Sequence, residues 1–174
     1  MSPNPKTFLR AALFASVAVL AACASTTPRA EPDDMCRQIA DFANASDDGS
    51  PHEVRLITDW GGTSCSTPTE VALACKACSH DAYPPGKQLC AYLMEHTATE
   101  FSQMNLARAL SCLNLGYTHL ELGPRLDALA NRRIQSAHAD HVKRGISVSV
   151  EYQLPTEGDS LPTLILQAQR DRTP

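Results

Sequence analysis

Seven cysteines in a chain of 174 residues constrain this fold more than any other feature. Whether they can pair depends on the compartment, and the start of the chain bears on that. Lys6 and Arg10 make a basic beginning, and Ala11 to Leu20 then form an uncharged apolar run. About ten such residues suit a secretory signal and fall short of the roughly 20 needed to span a bilayer. An exported chain meets an oxidising environment, where cysteines join as disulfides. The thiols are therefore expected to act as staples rather than as metal ligands or nucleophiles.

The run closes on Leu20-Ala21-Ala22-Cys23. That pattern resembles the lipobox of bacterial lipoproteins, and the resemblance covers residues 1–23. It implies that residues 1–22 are a cleaved signal peptide and that the Cys23 thiol receives a diacylglycerol. The freed amine would then take a further acyl chain such as palmitate. In that family an aspartate after the cysteine retains the protein at the inner membrane. Ala24 and Ser25 follow here, which implies the periplasmic face of the outer membrane. The competing reading is an ordinary signal cut at an Ala-x-Ala site, with an incidental cysteine. Several acyl chains hold a protein on a bilayer stably where one holds it only marginally, so no transmembrane helix is required.

Lipidation of Cys23 would leave six cysteines: Cys36, Cys65, Cys75, Cys78, Cys90 and Cys112. Six permit 15 connectivities, and sequence alone does not choose among them. The expected pairs are Cys36–Cys112, Cys65–Cys75 and Cys78–Cys90. The first would tie two helices together. The others would close short loops, each contributing about 2–3 kcal/mol through chain entropy.

Two of the 15 basic residues and none of the 19 acids lie in residues 1–22, so the mature body is more acidic than the whole-chain charge of −4. Such a body has no electrostatic reason to seek nucleic acid or anionic headgroups. Arg132-Arg133 and Lys143-Arg144 are expected as solvated hairpin rims. The length left after the signal suits one domain able to bury a core.

Residues 23–34 carry two prolines and no apolar periodicity, and are expected to form a lipidated tether. A single domain is expected over residues 35–170, with a frayed tail at 171–174. Asp33 or Asp34 caps a first helix to Ala45, with Met35, Cys36, Ile39, Phe42 and Ala43 on one face. His52 to Trp60 is predicted as a strand, turned by Gly61-Gly62. Residues 69–77 are ambiguous. A capping-box spacing at Thr67-Pro68-Thr69-Glu70 argues helix, while alternation of Val71, Leu73, Cys75 and Ala77 argues a strand pairing back on 54–60. The strand is preferred.

A helix is expected over Gly86 to His96, with Leu89, Cys90 and Leu93 inward. A second capping-box pattern, Thr97-Ala98-Thr99-Glu100, starts another, with Phe101, Leu106, Ala109, Leu110, Cys112 and Leu113 on its apolar face. Tyr117 to Leu122 and Asn131 to Ala137 are weaker strand candidates. Ile146, Val148, Val150 and Tyr152 alternate with Ser147, Ser149, Glu151 and Gln153, the clearest strand of all. Leu161 to Gln169 is the last. The sum is an α+β fold: about three helices on one face of a mainly antiparallel sheet, stapled by disulfides.

Candidate chemistry is sparse. Cys75-Lys76-Ala77-Cys78 is a CxxC without the βαβ surroundings of a redox site. Cys75, Cys78, His80 and Cys90 have donor types that suit zinc, but zinc needs reduced thiols. His138, Asp140 and His141 form a second cluster, expected as polar residues at a hairpin end. Nucleophile-elbow, zinc-protease and phosphate-loop motifs are missing. No cofactor is expected, and no residue is put forward as catalytic. Trp60, the only tryptophan, is either an interface anchor or filler at a strand end. The leading functional expectation is a protein-binding module in the periplasm, anchored to the lipid bilayer through Cys23. One version is an inhibitor or immunity protein against an envelope-targeted toxin. The alternatives are an envelope structural or assembly lipoprotein, and a hydrolase or metal-dependent enzyme using the His138–His141 region.

Overall fold

The computed structural model describes residues 34–46, 49–62, 64–65, 71–115, 126–154 and 161–171. Helices α1 (Asp34–Asn44), α2 (Pro84–His96), α3 (Ser102–Ser111) and the one-turn α4 (Leu126–Leu129) accompany five strands. The strands are β1 (His52–Trp60), β2 (Ala74–His80), β3 (Arg133–Ser136), β4 (Ile146–Gln153) and β5 (Thr163–Arg170). All pair antiparallel in one sheet, in the order β2-β1-β5-β4-β3. The fold is α+β, with three main helices and a five-stranded antiparallel sheet carrying three disulfides. The pairs are Cys36–Cys112, Cys65–Cys75 and Cys78–Cys90.

Period-2 alternation decides which sheet face is covered. Val54 and Leu56 of β1 lie opposite Leu166 and Leu164 of β5, which in turn lie opposite Val150 and Tyr152 of β4. All six are buried, and they meet Met35, Ile39 and Phe42 of α1, Leu89 and Leu93 of α2, and Leu106 and Leu110 of α3. Residues opposite one another in an antiparallel pair share a face. The reverse face therefore carries Glu53, Arg55, Ile57 and Asp59 of β1, Ile165, Gln167 and Gln169 of β5, and Ser147, Ser149 and Glu151 of β4.

Several boundaries differ from the sequence expectation. α2 begins at Pro84, not Gly86. Proline at the first helical positions has the required φ and lacks an N–H that would be unsatisfied there anyway. Gly86 instead marks a close approach, since a Cβ there would lie 3.2 Å from the His80 Cβ and 3.4 Å from a Val54 methyl. Thr97 does not open the next helix. Its hydroxyl and its backbone N–H both donate to the Leu93 carbonyl, closing α2. α3 starts five residues later at Ser102, with Phe101 outside it and exposed. Asn105 bridges the connection, accepting from the Ala98 N–H at 2.9 Å and donating to the Ala98 carbonyl at 2.7 Å.

β2 runs later than the expected 69–77, because Val54 to Trp60 pair with His80 to Ala74. Val71 and Leu73 consequently lie in the connection, not within the strand. Of the weaker strand candidates, Asn131–Ala137 becomes β3, and Tyr117–Leu122 lies outside the described residues. So do Cys23, the expected signal over residues 1–22 and most of the expected tether over residues 23–34. Among the described residues no helix is long and apolar enough to cross a membrane.

Candidate functional site

The sheet has two unlike ends. At one end β1 finishes at Trp60 and β2 starts at Ala74, its register partner. The connection is closed by the Gly61 N–H donating to the Leu73 carbonyl at 2.7 Å and by the Cys65–Cys75 disulfide. A Cβ at Gly62 would meet the Asp59 carboxylate, which would have to swing aside. This clamped hairpin exposes apolar side chains: Trp60 at 49%, Val71 at 90% and Leu73 at 74%. Large apolar groups usually leave water when they can, and several exposed together mark an interaction surface.

The helices add to the same end. The Lys76 ammonium reaches across from β2 to donate to the Met94 carbonyl at 3.1 Å and to the Thr97 carbonyl. It caps the negative C-terminus of α2, a favourable place for a cation. Partial burial pulls its pKa below the usual lysine value of 10.5. The Ser102 hydroxyl at the start of α3 lies 2.6 Å from the Tyr152 hydroxyl at the end of β4. Burial raises the Tyr152 pKa, opposed by that hydrogen bond. These ties bring Met94, Phe101 and Met104, all exposed, to the end that carries Trp60. Of the exposed large apolar side chains described, only Leu115 lies elsewhere in sequence.

Trp60 is thus half exposed at the strand end and is not core filler. Sequence reasoning passed over Val71, Leu73, Met94 and Met104. The available signal was the Trp-Gly-Gly turn followed by two cysteines ten residues apart, which bracket Val71 and Leu73.

The reverse sheet face carries a second feature, a chain of charged and amide groups. Arg133 contacts Glu151 through Nε and a terminal nitrogen, both at 3.0 Å, and the Gln153 amide donates to Glu151 at 2.7 Å. Arg55 and the Gln167 amide both donate to Glu53. The Glu151 carboxyl is held below its ordinary 4.5, first by the Gln153 hydrogen bond, then by the bond and charge of Arg133 and the charge of Arg55, against the opposing effect of burial. Lowering makes Glu151 stabilising above its unfolded pKa, and that contribution is lost as pH falls through the folded value. Glu151→Gln is expected to lower Tm at pH 7, where the ionised carboxylate contributes fully, and to converge with wild type as pH falls below about 4.5, so that the acid limb of Tm against pH flattens.

The remaining candidates are dispersed or structural. Cys75 and Cys78 belong to different disulfides, so the CxxC is no redox pair. His80 is exposed at the end of β2, the strand that carries Cys75 and Cys78, while Cys75, Cys78 and Cys90 are all oxidised. His138 and His141 are exposed. Their loop is a brace: the Asp140 N–H donates to the Cys112 carbonyl at 2.8 Å, and the His141 carbonyl accepts from Asn44 at 3.0 Å. Among the described residues no group of three or more His, Cys, Asp or Glu is arranged to hold a metal ion. His52 is held by two neighbours. Its Nδ1 lies 2.9 Å from Asp81, and its ring stacks on Tyr83 at 3.7 Å. Comparison with protein-family models, with curated proteins and with solved structures finds no match to this chain.

Proposed function

We propose that this protein is a periplasmic lipoprotein, anchored at the outer membrane through acylated Cys23, that works by binding another protein. An inhibitor of an envelope-targeted toxin is the form of that activity which suits a small stapled domain best. The carrying observation is the exposure of Trp60, Val71 and Leu73 on a hairpin clamped by a disulfide. Tryptophan is enriched among residues that dominate binding energy. The Cys65–Cys75 bond and the Gly61–Leu73 hydrogen bond limit the freedom that the segments carrying Trp60 and Leu73 lose on association, which leaves more of the contact energy as affinity. Occlusion requires no catalytic group on this chain.

Two measurements test the reading. Cells fed a fatty-acid analogue should label the wild-type protein and not Cys23→Ser; an unlabelled wild type removes the anchor. Tagged full-length protein, crosslinked in the living cell and recovered, should carry a defined partner. Trp60→Ala is expected to weaken that complex by about 2 kcal/mol, roughly 30-fold, while Tm stays close to wild type because the side chain is half exposed. Unchanged affinity in Trp60→Ala would count against the hairpin as the binding element.

A further inference from the structure

The reverse face of the sheet carries a cleft of its own. Register puts Gln135 of β3, Ser149 of β4 and Gln167 of β5 in one row across that face. Arg133 and Glu151 lie in the row on one side of it, Ser147 and Gln169 in the row on the other. Residues opposite one another in an antiparallel pair share a face, so the short serines of β4 are flanked by long side chains from both neighbouring strands. The result is a trough. Ser147 and Ser149 make its floor, Arg133 and Gln135 one wall, Gln167 and Gln169 the other, and Pro51, just before β1, adds an apolar side. Its volume is about 60 Å³.

The polar groups of this trough are partly spoken for, and the remainder define what it can hold. The floor serines are only 6% and 7% exposed. The Ser147 hydroxyl donates to the Gln169 backbone carbonyl at 3.4 Å. The Ser149 hydroxyl makes no hydrogen bond among the described residues. Its oxygen still opens into the trough, because Ser46 Oγ is the one fully enclosed side-chain polar atom described that lacks a partner. A buried hydroxyl without a protein partner is rare, and a few convergent polar groups of this kind are what a binding cleft uses to orient its ligand. Gln167 and Gln169 each give an amide hydrogen away, to Glu53 and to the Gly49 carbonyl. Their amide oxygens are left as acceptors. Gln135 makes no described bond and keeps both donor and acceptor.

Charge and size narrow the ligand. The one charged side chain in the lining, Arg133, pairs with the Glu151 carboxylate at 3.0 Å, so that pair carries no net charge. A neutral ligand with both a donor and an acceptor fits such walls. The volume admits about four to six water-sized groups. An acylamino group has that size: its N–H meets a glutamine oxygen, its carbonyl meets Ser149 or Gln135, and its methyl meets Pro51. A protein's carboxamide side chain lacks that methyl. The exposed Arg133 and Gln135 at the rim can then bond the hydroxyls of the ring that carries the group. We infer that this trough binds an uncharged sugar bearing an acylamino group. The site is separate from the apolar hairpin: Pro51 precedes β1 and Trp60 ends it, nine residues on, a span of about 30 Å.

The full-length chain, purified with its disulfides intact in a detergent without a sugar headgroup, is titrated with triacetylchitotriose and read by saturation-transfer NMR. Transfer should saturate with sugar concentration and be strongest at the acetyl methyls. Cellotriose, which has hydroxyls where the first sugar has acetamido groups, should bind about tenfold more weakly. Ser149→Val and, separately, Gln135→Ala should each weaken binding of the acetylated sugar about five- to tenfold. Valine suits a strand, and Gln135 is exposed, so the second variant keeps the test readable if the first fails to fold. Trp60→Ala should bind the sugar as wild type does. Equal affinity for cellotriose, affinity indifferent to both trough substitutions, or no transfer to either sugar overturns the inference. Tighter binding of the tripeptide Gly-Asn-Gly overturns it in favour of a protein ligand, and loss of sugar binding in Trp60→Ala overturns it in favour of the hairpin. The protein-binding reading is tested by its own complex and does not stand or fall with these results.

Discussion

Replacing Cys36 and Cys112 together by alanine is expected to lower the unfolding free energy by about 4–5 kcal/mol. The bond joins residues 76 apart in sequence. The entropy that a crosslink removes from the unfolded chain grows with the logarithm of loop length. For Cys65–Cys75 and Cys78–Cys90, with separations of 10 and 12, the same relation gives about 3 kcal/mol each. Alanine is preferred to serine because Cys112 is buried in the apolar cluster, where an unpaired hydroxyl adds its own cost. A domain of this size holds about 5–15 kcal/mol in all, so the long bond represents a large share. Urea denaturation of the three alanine pairs, under non-reducing conditions, should rank Cys36–Cys112 first. Equal losses across the three would show that strain or residual unfolded structure outweighs loop length.

Phe42→Ala is expected to cost about 3–5 kcal/mol, and Phe42→Leu distinctly less. Phe42 is buried on α1, and its ring meets Tyr83 edge to face, with centroids 5.8 Å apart. Such aromatic pairs add to the value of simple burial. The Tyr83 hydroxyl returns to donate to the Phe42 carbonyl at 3.4 Å, and Tyr83 in turn stacks on His52. One side chain thus joins α1 to the start of α2 and to β1. Removing it leaves a cavity and also frees Tyr83 from one of its supports. Urea denaturation measures the loss, and a cost below about 1.5 kcal/mol would mean that the site collapses around the gap.

Legibility followed range. The inward set Ile146, Val148, Val150 and Tyr152 could be read off as alternation, because period 2 is a property of one strand. The alternating Ser147 and Ser149 are polar, yet both are buried. They lie in mid-sheet, beside Gln169 and Gln167 of β5, and polarity within one strand does not say what stands beside it. The Thr97–Glu100 pattern matched a capping box, but the hydroxyl found the carbonyl of the preceding helix first. Local motifs name a capable group, and competition between neighbouring partners settles its use. The candidate site was half legible. Trp60 and its glycine turn were visible, while Met94, Phe101 and Met104 reach the same end only through Lys76 and the Ser102–Tyr152 contact.

The chain by itself determined the fold class, because apolar period and turn residues act over a few neighbours. It also determined the supply of cysteines and the acidity of the body. The tertiary structure alone decided strand register, the pairing among six thiols, and which apolar side chains remain in water. Those depend on pairs such as Val54 with Leu166 and Cys36 with Cys112. Their free energy is collected only once distant segments have met, and no local window of sequence contains it.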